Sequence, residues 1–354
     1  MEPFVFQPLP QRVVFGSGTL AAIGDEVERL GHSRAIVLST PEQASSAEAI
    51  VGDLGGLSVG MFTGATRHTP LWVTEAAMQE VLALDADCLI SIGGGSTTGL
   101  GKAIALRTDL DQIVIPTTYA GSEATPILGE TVDGAKTTLR SARVLPEVVV
   151  YDIELTLGLP VDLTVTSGLN AMAHAIEALY TQDRNPIISL LAAEGLRALG
   201  LALPKVAADP KNRSARSDAL YGAWACGTCL GAVGMALHHR ICHVLGGSFD
   251  LPHSDTHAVI LPHSTAFNEA TAASLLRPAA RAIRVEELGP GLYDLSLRLG
   301  APMTLKQIGM LEASLDRAAD LIVDKPYWNP RPANRRDIRQ LLDDAYFGRR
   351  PRLH

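Results

Sequence analysis

The sequence predicts an α/β nucleotide-binding domain over residues 1–156 followed by an all-helical domain over residues 157–354. Three observations carry that expectation. Short β-rich runs alternate with helix-period segments as far as Tyr151, convincing strands are absent beyond Asp152, and a glycine loop follows one of the apolar runs. Strands alternating with helices imply a parallel sheet with helices on its faces, and such sheets bind ligands at the carboxyl ends of their strands.

The candidate strands are Arg12–Phe15, Ala35–Ser39, Ser58–Phe62, Cys88–Ile92, Ile113–Pro116 and Val148–Tyr151. Helix-period segments such as Thr19–Leu30, Trp72–Leu84 and Leu100–Arg107 lie between several of them. In the second half Thr166–Thr181, Ile187–Leu199, Ser217–Leu245, Ala270–Arg284, Gly289–Leu299, Leu305–Asp324 and Arg335–Ala345 read as helices, after a linker near Thr156–Pro160. Ala219–Leu237 is uncharged for 19 residues, long enough to span a bilayer. Its Ala, Gly, Cys and Thr content marks it instead as a buried core helix, so no membrane role is expected.

With 354 residues there is room for two domains and a large core. Hydrophobic residues at 47% and charged residues at 19% describe an ordered globular chain. The net charge of −8 argues against nucleic acid, which is bound through clustered Lys and Arg. Four cysteines in apolar surroundings (Cys88, Cys226, Cys229, Cys242) read as reduced core thiols; the CxxC of Cys226 and Cys229 has no second pair to build a zinc site with. The N-terminus lacks a basic stretch followed by an apolar core, so no signal peptide is expected and the cytoplasm is the expected location.

The glycine loop reads CLISIGGGSTTGLGK over Cys88–Lys102. Gly93, Gly94 and Gly95 would let the backbone approach a phosphate, and the following helix N-terminus attracts negative charge. Ser96 or Thr97 can cap that helix and donate to phosphate. The spacing is neither GxGxxG nor the P-loop pattern, and a tight turn that binds nothing is the plain alternative. After the next strand, Thr117, Thr118 and Ser122 in IPTTYAGSEATP offer hydroxyls for the rest of a nucleotide. At the end of the second strand stand Ser39 and Thr40, both uncharged, so a cofactor with a 2′-phosphate should be tolerated as well as one without.

The second domain holds the chemistry. Six of ten histidines fall between Gly234 and Asn268: His238, His239, His243, His253, His257 and His263. His239 and His243 are one helical turn apart, Gly246 and Gly247 end that helical pattern, and His253 follows a proline at a turn. On an earlier helix Asn170, His174 and Glu177 share a face. Such histidines suit metal ligation, proton transfer or holding an anion. An aspartate at position 170 would complete a three-nitrogen, one-carboxylate metal site; asparagine leaves only neutral donors, which should lower cation affinity. For His257 and His263, hydrogen bonding inside the helical domain is the plain alternative. His238 reads as a surface residue.

These residues carry a family resemblance. GGGS, the PTT…GSE loop, SGxNxxxHAIE, HxxxHxxGxxxxxPH and LPHSTAFN resemble the iron-containing (group III) alcohol dehydrogenase family, in order over nearly the whole chain. The resemblance implies a dehydroquinate-synthase-like fold, with an active site in the cleft between the two domains, and a homodimer. The family's metal ligands would fall on Asn170, His174, His239 and His253, with His243 beside the nicotinamide. Two departures stand out: Asn170 in place of the ligand aspartate, and Gly99 where many members have an aspartate. FTGATRHTP, DGAKTT, PHSDTHAVILPH and LLDDAYFGRRP are similar to one subgroup, the maleylacetate reductases. That similarity implies NADH or NADPH as cofactor, no bound metal, and reduction of the carbon–carbon double bond of maleylacetate to 3-oxoadipate in aromatic degradation.

On that reading hydrogen-bond donors replace the metal at the developing oxyanion, and His243, His253 and His174 would donate, one as general acid. His239, Asn170 and His257 would line the dicarboxylate substrate. Lys136 and Arg140 would anchor its carboxylates, or be a solvated surface pair. Tyr327 would reach in with its hydroxyl, or simply pack. The rivals are a metal-dependent alcohol or polyol dehydrogenase of the same fold, a sugar-phosphate cyclase, and a non-catalytic nucleotide-binding protein.

Overall fold

The computed structural model describes residues 3–132 and 135–353, except for the side chains of residues 135 and 136. The chain divides into two compact units, Pro8–Leu159 and Pro160–His354, the second joined by Met1–Gln7. The division falls at Pro160 instead of residue 157, and the N-terminal segment groups with the helical unit, not with the nucleotide-binding half.

The first unit is built on six parallel strands: β1 (Arg12–Gly16), β2 (Ala35–Leu38), β3 (Ser58–Phe62), β4 (Cys88–Gly93), β5 (Asp111–Pro116) and β8 (Val148–Asp152), in the order β1-β8-β5-β4-β2-β3. The central strands β2 and β4 are buried at every position because both faces are covered. Side chains alternate between faces with period two. Val37, Ile90, Ile92, Ile113 and Ile115 therefore pack against α1 (Ile23–Arg29) and α2 (Ala44–Leu54). Ile36, Leu38 and Leu89 meet α3 (Leu71–Ala83) and α4 (Gly95–Thr108) on the other face. This doubly covered sheet is the expected one, except that α2 went unread.

A two-stranded antiparallel hairpin, β6 (Ile127–Val132) and β7 (Ala135–Arg140), also went unread. Its signal was available. Asp133-Gly134 between two runs that contain β-branched residues is a strong short hairpin signal.

The second unit is helical: α5 (Val161–Tyr180), α6 (Pro186–Ala208), α7 (Arg213–Ala232), α8 (Leu237–Phe249), α9 (His253–Ala282), α10 (Leu288–Arg298), α11 (Leu315–Asp324) and α12 (Arg335–Phe347). Side-chain caps set several starts. Asn185 accepts from the Ile188 amide with Pro186 as the first helical residue, Asn212 accepts from Ala215, and Asn334 and Asp337 form a reciprocal capping box. Helix α5 is buried from Thr164 to Tyr180 and packs on α6, α7 and α9, which makes it the centre of the unit. By length and composition α6 could cross a membrane, but it packs against α5, α7 and α9.

Three boundaries differ from expectation. Ser217–Leu245 is not one helix: α7 and α8 meet at a 95° bend across residues 233–236. There the Gly234 amide is held by the Asp183 carboxylate at 3.0 Å, a tertiary contact that local pattern cannot reveal. Helix α8 runs through Gly246 and Gly247 to Phe249 and stops at Asp250 in the left-handed region. Residues 305–309 are turns and Glu312–Ser314 is a 3-10 turn, so only Leu315–Asp324 of the expected Leu305–Asp324 helix forms as α-helix. His253 opens α9 and is not a loop residue, with Pro252 as its N-cap.

Candidate functional site

In the first unit, the carboxyl ends of β2, β4 and β5 come together. The Thr117 amide donates to the Gly93 carbonyl at 3.0 Å, and the Gln43 side-chain amide donates to the Thr117 hydroxyl at 2.9 Å. Gly93 has φ of 148°, and a Cβ there would lie 2.5 Å from Gln43 Oε1 and 2.6 Å from Thr97 Oγ1. Only glycine fits. At Gly94 a Cβ would press on Thr118 at 3.1 Å, whereas Gly95 faces open space. Helix α4 starts on Gly94 with no side-chain cap, so the amides of its first turn are left for a ligand. The expected capping by Ser96 or Thr97 does not occur. Thr97 is buried and its hydroxyl has no hydrogen-bond partner among the described residues. Gly93→Ala is expected to raise the KM for NADH about tenfold or more, by pushing Gln43 and Thr97 apart, while the KM for the second substrate stays put; steady-state kinetics check it.

The other cofactor positions fare unequally. Ser39 is fully buried and its hydroxyl donates to the Thr40 carbonyl, so it is turned away from any ligand. Thr40 is partly exposed at the strand end. The neighbouring Glu42 carboxyl is held below its ordinary range by its own backbone amide and the Thr40 hydroxyl, which puts a negative charge where none was expected. Ser122 presents its carbonyl to Lys102, a residue sequence reading missed. The buried Lys102 ammonium donates to the carbonyls of Ser122, Thr125 and Ile127 at 2.6, 2.7 and 2.9 Å and to the Thr125 hydroxyl at 3.0 Å. It ties the hydroxyl loop to α4. The one signal was a lysine in an otherwise apolar helix. Gly99 also finds its reason: a Cβ there would lie 2.4 Å from Thr69 Oγ1, leaving no room for aspartate.

In the second unit the histidines form two tiers. Asn170 and His174 from α5, His238 and His239 from α8, and His257 from α9 are all buried, between 0% and 6% exposed. His243 and His253 are exposed. Ring centroids lie 5.1 Å apart for His174–His239, 5.2 Å for His239–His257, 4.5 Å for His253–His257 and 6.0 Å for His239–His243. The spacing of Asn170, His174 and Glu177 does put them on one face, as the sequence implied.

Glu177 is the residue that sequence reading noticed and then left out. Its carboxylate accepts from the amides of Ala236 and His238 at 3.1 and 2.8 Å, from the Tyr180 hydroxyl at 3.1 Å, and from His239 Nδ1 at 2.5 Å. It therefore caps α8 from another helix and orients His239 at once. Burial alone would raise its pKa, but the His239 hydrogen bond, the His239 and His238 charges and the Ala236 amide bring it down to about 2. With Nδ1–H directed at Glu177, His239 keeps its Nε2 lone pair.

Four buried side-chain atoms of this inner tier have no partner among the described residues: Asn170 Oδ1, His174 Nδ1, His239 Nε2 and His257 Nε2. Burial and then the neighbouring histidines push the His174 pKa well down. That direction favours the neutral ring over the charged one. His238 is not a surface residue: it is 1% exposed, and burial followed by His239 brings its pKa to about 3. His263 is buried beside Tyr293 with Nε2 unpaired, and burial lowers its pKa to about 4. The internal hydrogen bond expected of it is not made at that atom. His257 does make one, at Nδ1, to His238 Nε2 at 2.9 Å. His238 Nε2, Cys242 Sγ and His257 Nδ1 lie close together, but the two ring nitrogens share a hydrogen, which a metal bridging them would displace.

The remaining expected positions are scattered. Tyr327 packs on the core formed by α8, α9, α11 and α12, and its buried hydroxyl has no partner among the described residues. Arg140 is exposed on β7 in the first unit, and the Lys136 side chain lies outside the described residues. All four cysteines are free and buried, Cys226 and Cys229 included.

Comparison with known proteins agrees in both units. A family model described as iron-containing alcohol dehydrogenase matches residues 10–153, and one described as Fe-containing alcohol dehydrogenase family, C-terminal, matches residues 164–346. A maleylacetate reductase of Rhizobium sp. (strain MTP-10005) is 58% identical over 351 residues, covering 99% of this chain and 100% of the relative. The crystal structure of maleylacetate reductase from Agrobacterium tumefaciens superposes with a TM-score of 0.97 at 57% identity, covering 99% of this chain and 100% of that one. An iron-containing alcohol dehydrogenase from Corynebacterium glutamicum gives a TM-score of 0.94 at 41% identity, covering 99% and 98%.

These matches correct one expectation. Absence of metal was expected from Asn170, but the matching family is an iron-containing one, which points to a metal cofactor. The inner tier fits a cation. Its unpaired buried atoms are lone-pair acceptors, one oxygen and three nitrogens, which suit a divalent transition metal. The missing aspartate is compensated at one remove: Glu177 puts its charge behind His239, the carboxylate–histidine arrangement found around metal ligands.

Proposed function

The chain belongs to the iron-containing alcohol dehydrogenase family, and from that membership we infer that it is an NAD(P)H-dependent maleylacetate reductase of aromatic degradation. The full-length likeness to maleylacetate reductases carries this reading. The substrate proposed is a dianion whose ketone is conjugated to its double bond. Asn170, His174, His239 and His257 would hold the cation, and the glycine turn Gly93–Gly95 with Thr117 and Thr118 would hold the dinucleotide phosphates. When bound, these groups supply polarisation of an oxygen and a hydride for the alkene carbon β to the ketone.

The chain's own residues do the rest. As the new C–H bond forms, the alkene electrons move onto the ketone oxygen, and the other alkene carbon then takes a proton. The exposed His243 and His253 are the proposed proton donors, because burial pushes His174 and His257 toward the neutral form. Neutral donors at Asn170, His174, His239 and His257 would leave more of a bound cation's charge available to an anionic substrate. Arg140, Lys136 and Tyr327 are the further candidates for binding those carboxylates. Glu42 beside Thr40 favours NADH over NADPH. The same reading carries a cytoplasmic homodimer as its proposal for location and assembly.

The test is a substrate comparison. Maleylacetate is expected to oxidise NADH rapidly, with simple alcohols and polyols giving far slower NAD+ reduction. Rapid polyol turnover without maleylacetate turnover would move the enzyme to the alcohol dehydrogenase branch.

A further inference from the structure

His257 faces four other rings of the histidine group, His174, His238, His239 and His253, as many as His239 does. Its usefulness depends on where its single ring hydrogen sits, and a chain of hydrogen bonds decides that. The Ser264 hydroxyl lies 3.0 Å from the Ile260 carbonyl and 3.2 Å from the Leu261 carbonyl. Carbonyls only accept, so the hydroxyl hydrogen goes to them and the Ser264 oxygen is left as an acceptor. His238 Nδ1, 2.9 Å from that oxygen, must then carry a hydrogen. His238 is 1% exposed, and among the described residues its ring nitrogens meet only Ser264, His257 and Cys242, with no carboxylate to hold a second hydrogen, so its Nε2 presents a lone pair. His257 Nδ1, 2.9 Å away, must donate to it. That leaves His257 Nε2 as a lone pair, fully buried and without a partner among the described residues.

We propose that Ser264 and His238 are positioning residues that fix the tautomer of His257, holding its Nε2 as an inward acceptor beside those of His239 and His174. Glu177 does the same for His239 through its Nδ1, so two unrelated anchors on α5 and α9 produce the same result at two rings. Cys242, whose sulfur lies 3.7 Å from His238 Nε2, does not oppose this, since a thiol donates to a lone pair. The reverse tautomer would aim an N–H from His257 into a group of unpaired acceptors and leave nothing for a cation or a substrate donor to bind at that ring. The ligand-binding part of this rests on the proposed function; the tautomer does not.

The experiment is therefore in two parts. Histidine-selective 15N–1H NMR of the full chain, with His257 assigned from a His257→Gln variant, is expected to find Nδ1 protonated and Nε2 unprotonated. A proton on His257 Nε2 would overturn the proposal. Ser264→Ala is expected to mix the two tautomers and to lower kcat/KM for maleylacetate by about 10–100-fold with the KM for NADH unchanged, while Ser264→Thr restores both. A folded Ser264→Ala with wild-type tautomer and kinetics would also overturn it. Should Ser264→Ala not fold, the wild-type spectrum decides alone. A chain that shows the tautomer yet never reduces maleylacetate would keep this proposal and sink the functional one.

Discussion

Replacing His243 by alanine is expected to lower kcat for maleylacetate by about 10²–10⁴-fold, the usual loss when a positioned general acid is removed. His243 lies one turn beyond His239 on α8, its ring 6.0 Å from that of His239, and it is exposed where the inner histidines are buried. An exposed imidazole can exchange protons with water, which a buried one surrounded by other histidines cannot readily do. The KM for NADH should hardly move. His253→Ala tests the second exposed ring: if the larger loss appears there, the roles of proton donor and helper exchange. Unchanged turnover in both variants would remove the proton-donor assignment altogether.

Glu177→Gln is expected to have the largest effect on stability, about 3–5 kcal/mol, the cost of removing one member of a buried, hydrogen-bonded pair. The carboxylate accepts from two backbone amides, a tyrosine hydroxyl and a histidine ring, and a glutamine amide turns half of that acceptor surface into donors facing donors. Urea unfolding at neutral pH measures it. The sign of the pH dependence also follows. Because the folded pKa lies near 2 and the unfolded value near 4.5, the contribution is complete above about 4.5 and is lost as pH falls toward 2. The gap between wild type and variant should therefore close over that window. A gap that does not change with pH would mean that the charge on Glu177 contributes nothing.

Most of the architecture was legible because it rests on local pattern. The apolar runs at Ile36, Ile90 and Ile113 need only burial on both faces to become central strands. The glycine turn was legible because nothing but glycine fits at Gly93. What escaped depends on contacts between distant residues. Nothing near Val233 in the sequence says that Glu177 and Asp183 will hold the amides of residues 234–238 and bend the helix there. Nor does spacing say that His238 is inside: on an isolated helix it points away from His239, and burial came from α9 closing over it through Ser264 and His257. The absence of metal was expected from Asn170 and from the maleylacetate reductase resemblance, neither of which shows Glu177 standing behind His239.

The central claim is reduction of a carbon–carbon bond, not of a carbonyl, and the position of a label tests it most directly. With NADH deuterated at the transferred position, 3-oxoadipate is expected to carry one deuterium on the carbon next to the carboxylate remote from the ketone. That carbon is β to the ketone and does not exchange with water, so NMR of the product reads it without loss. Deuterium on a carbinol carbon, in a hydroxy acid that keeps its double bond, would contradict the account.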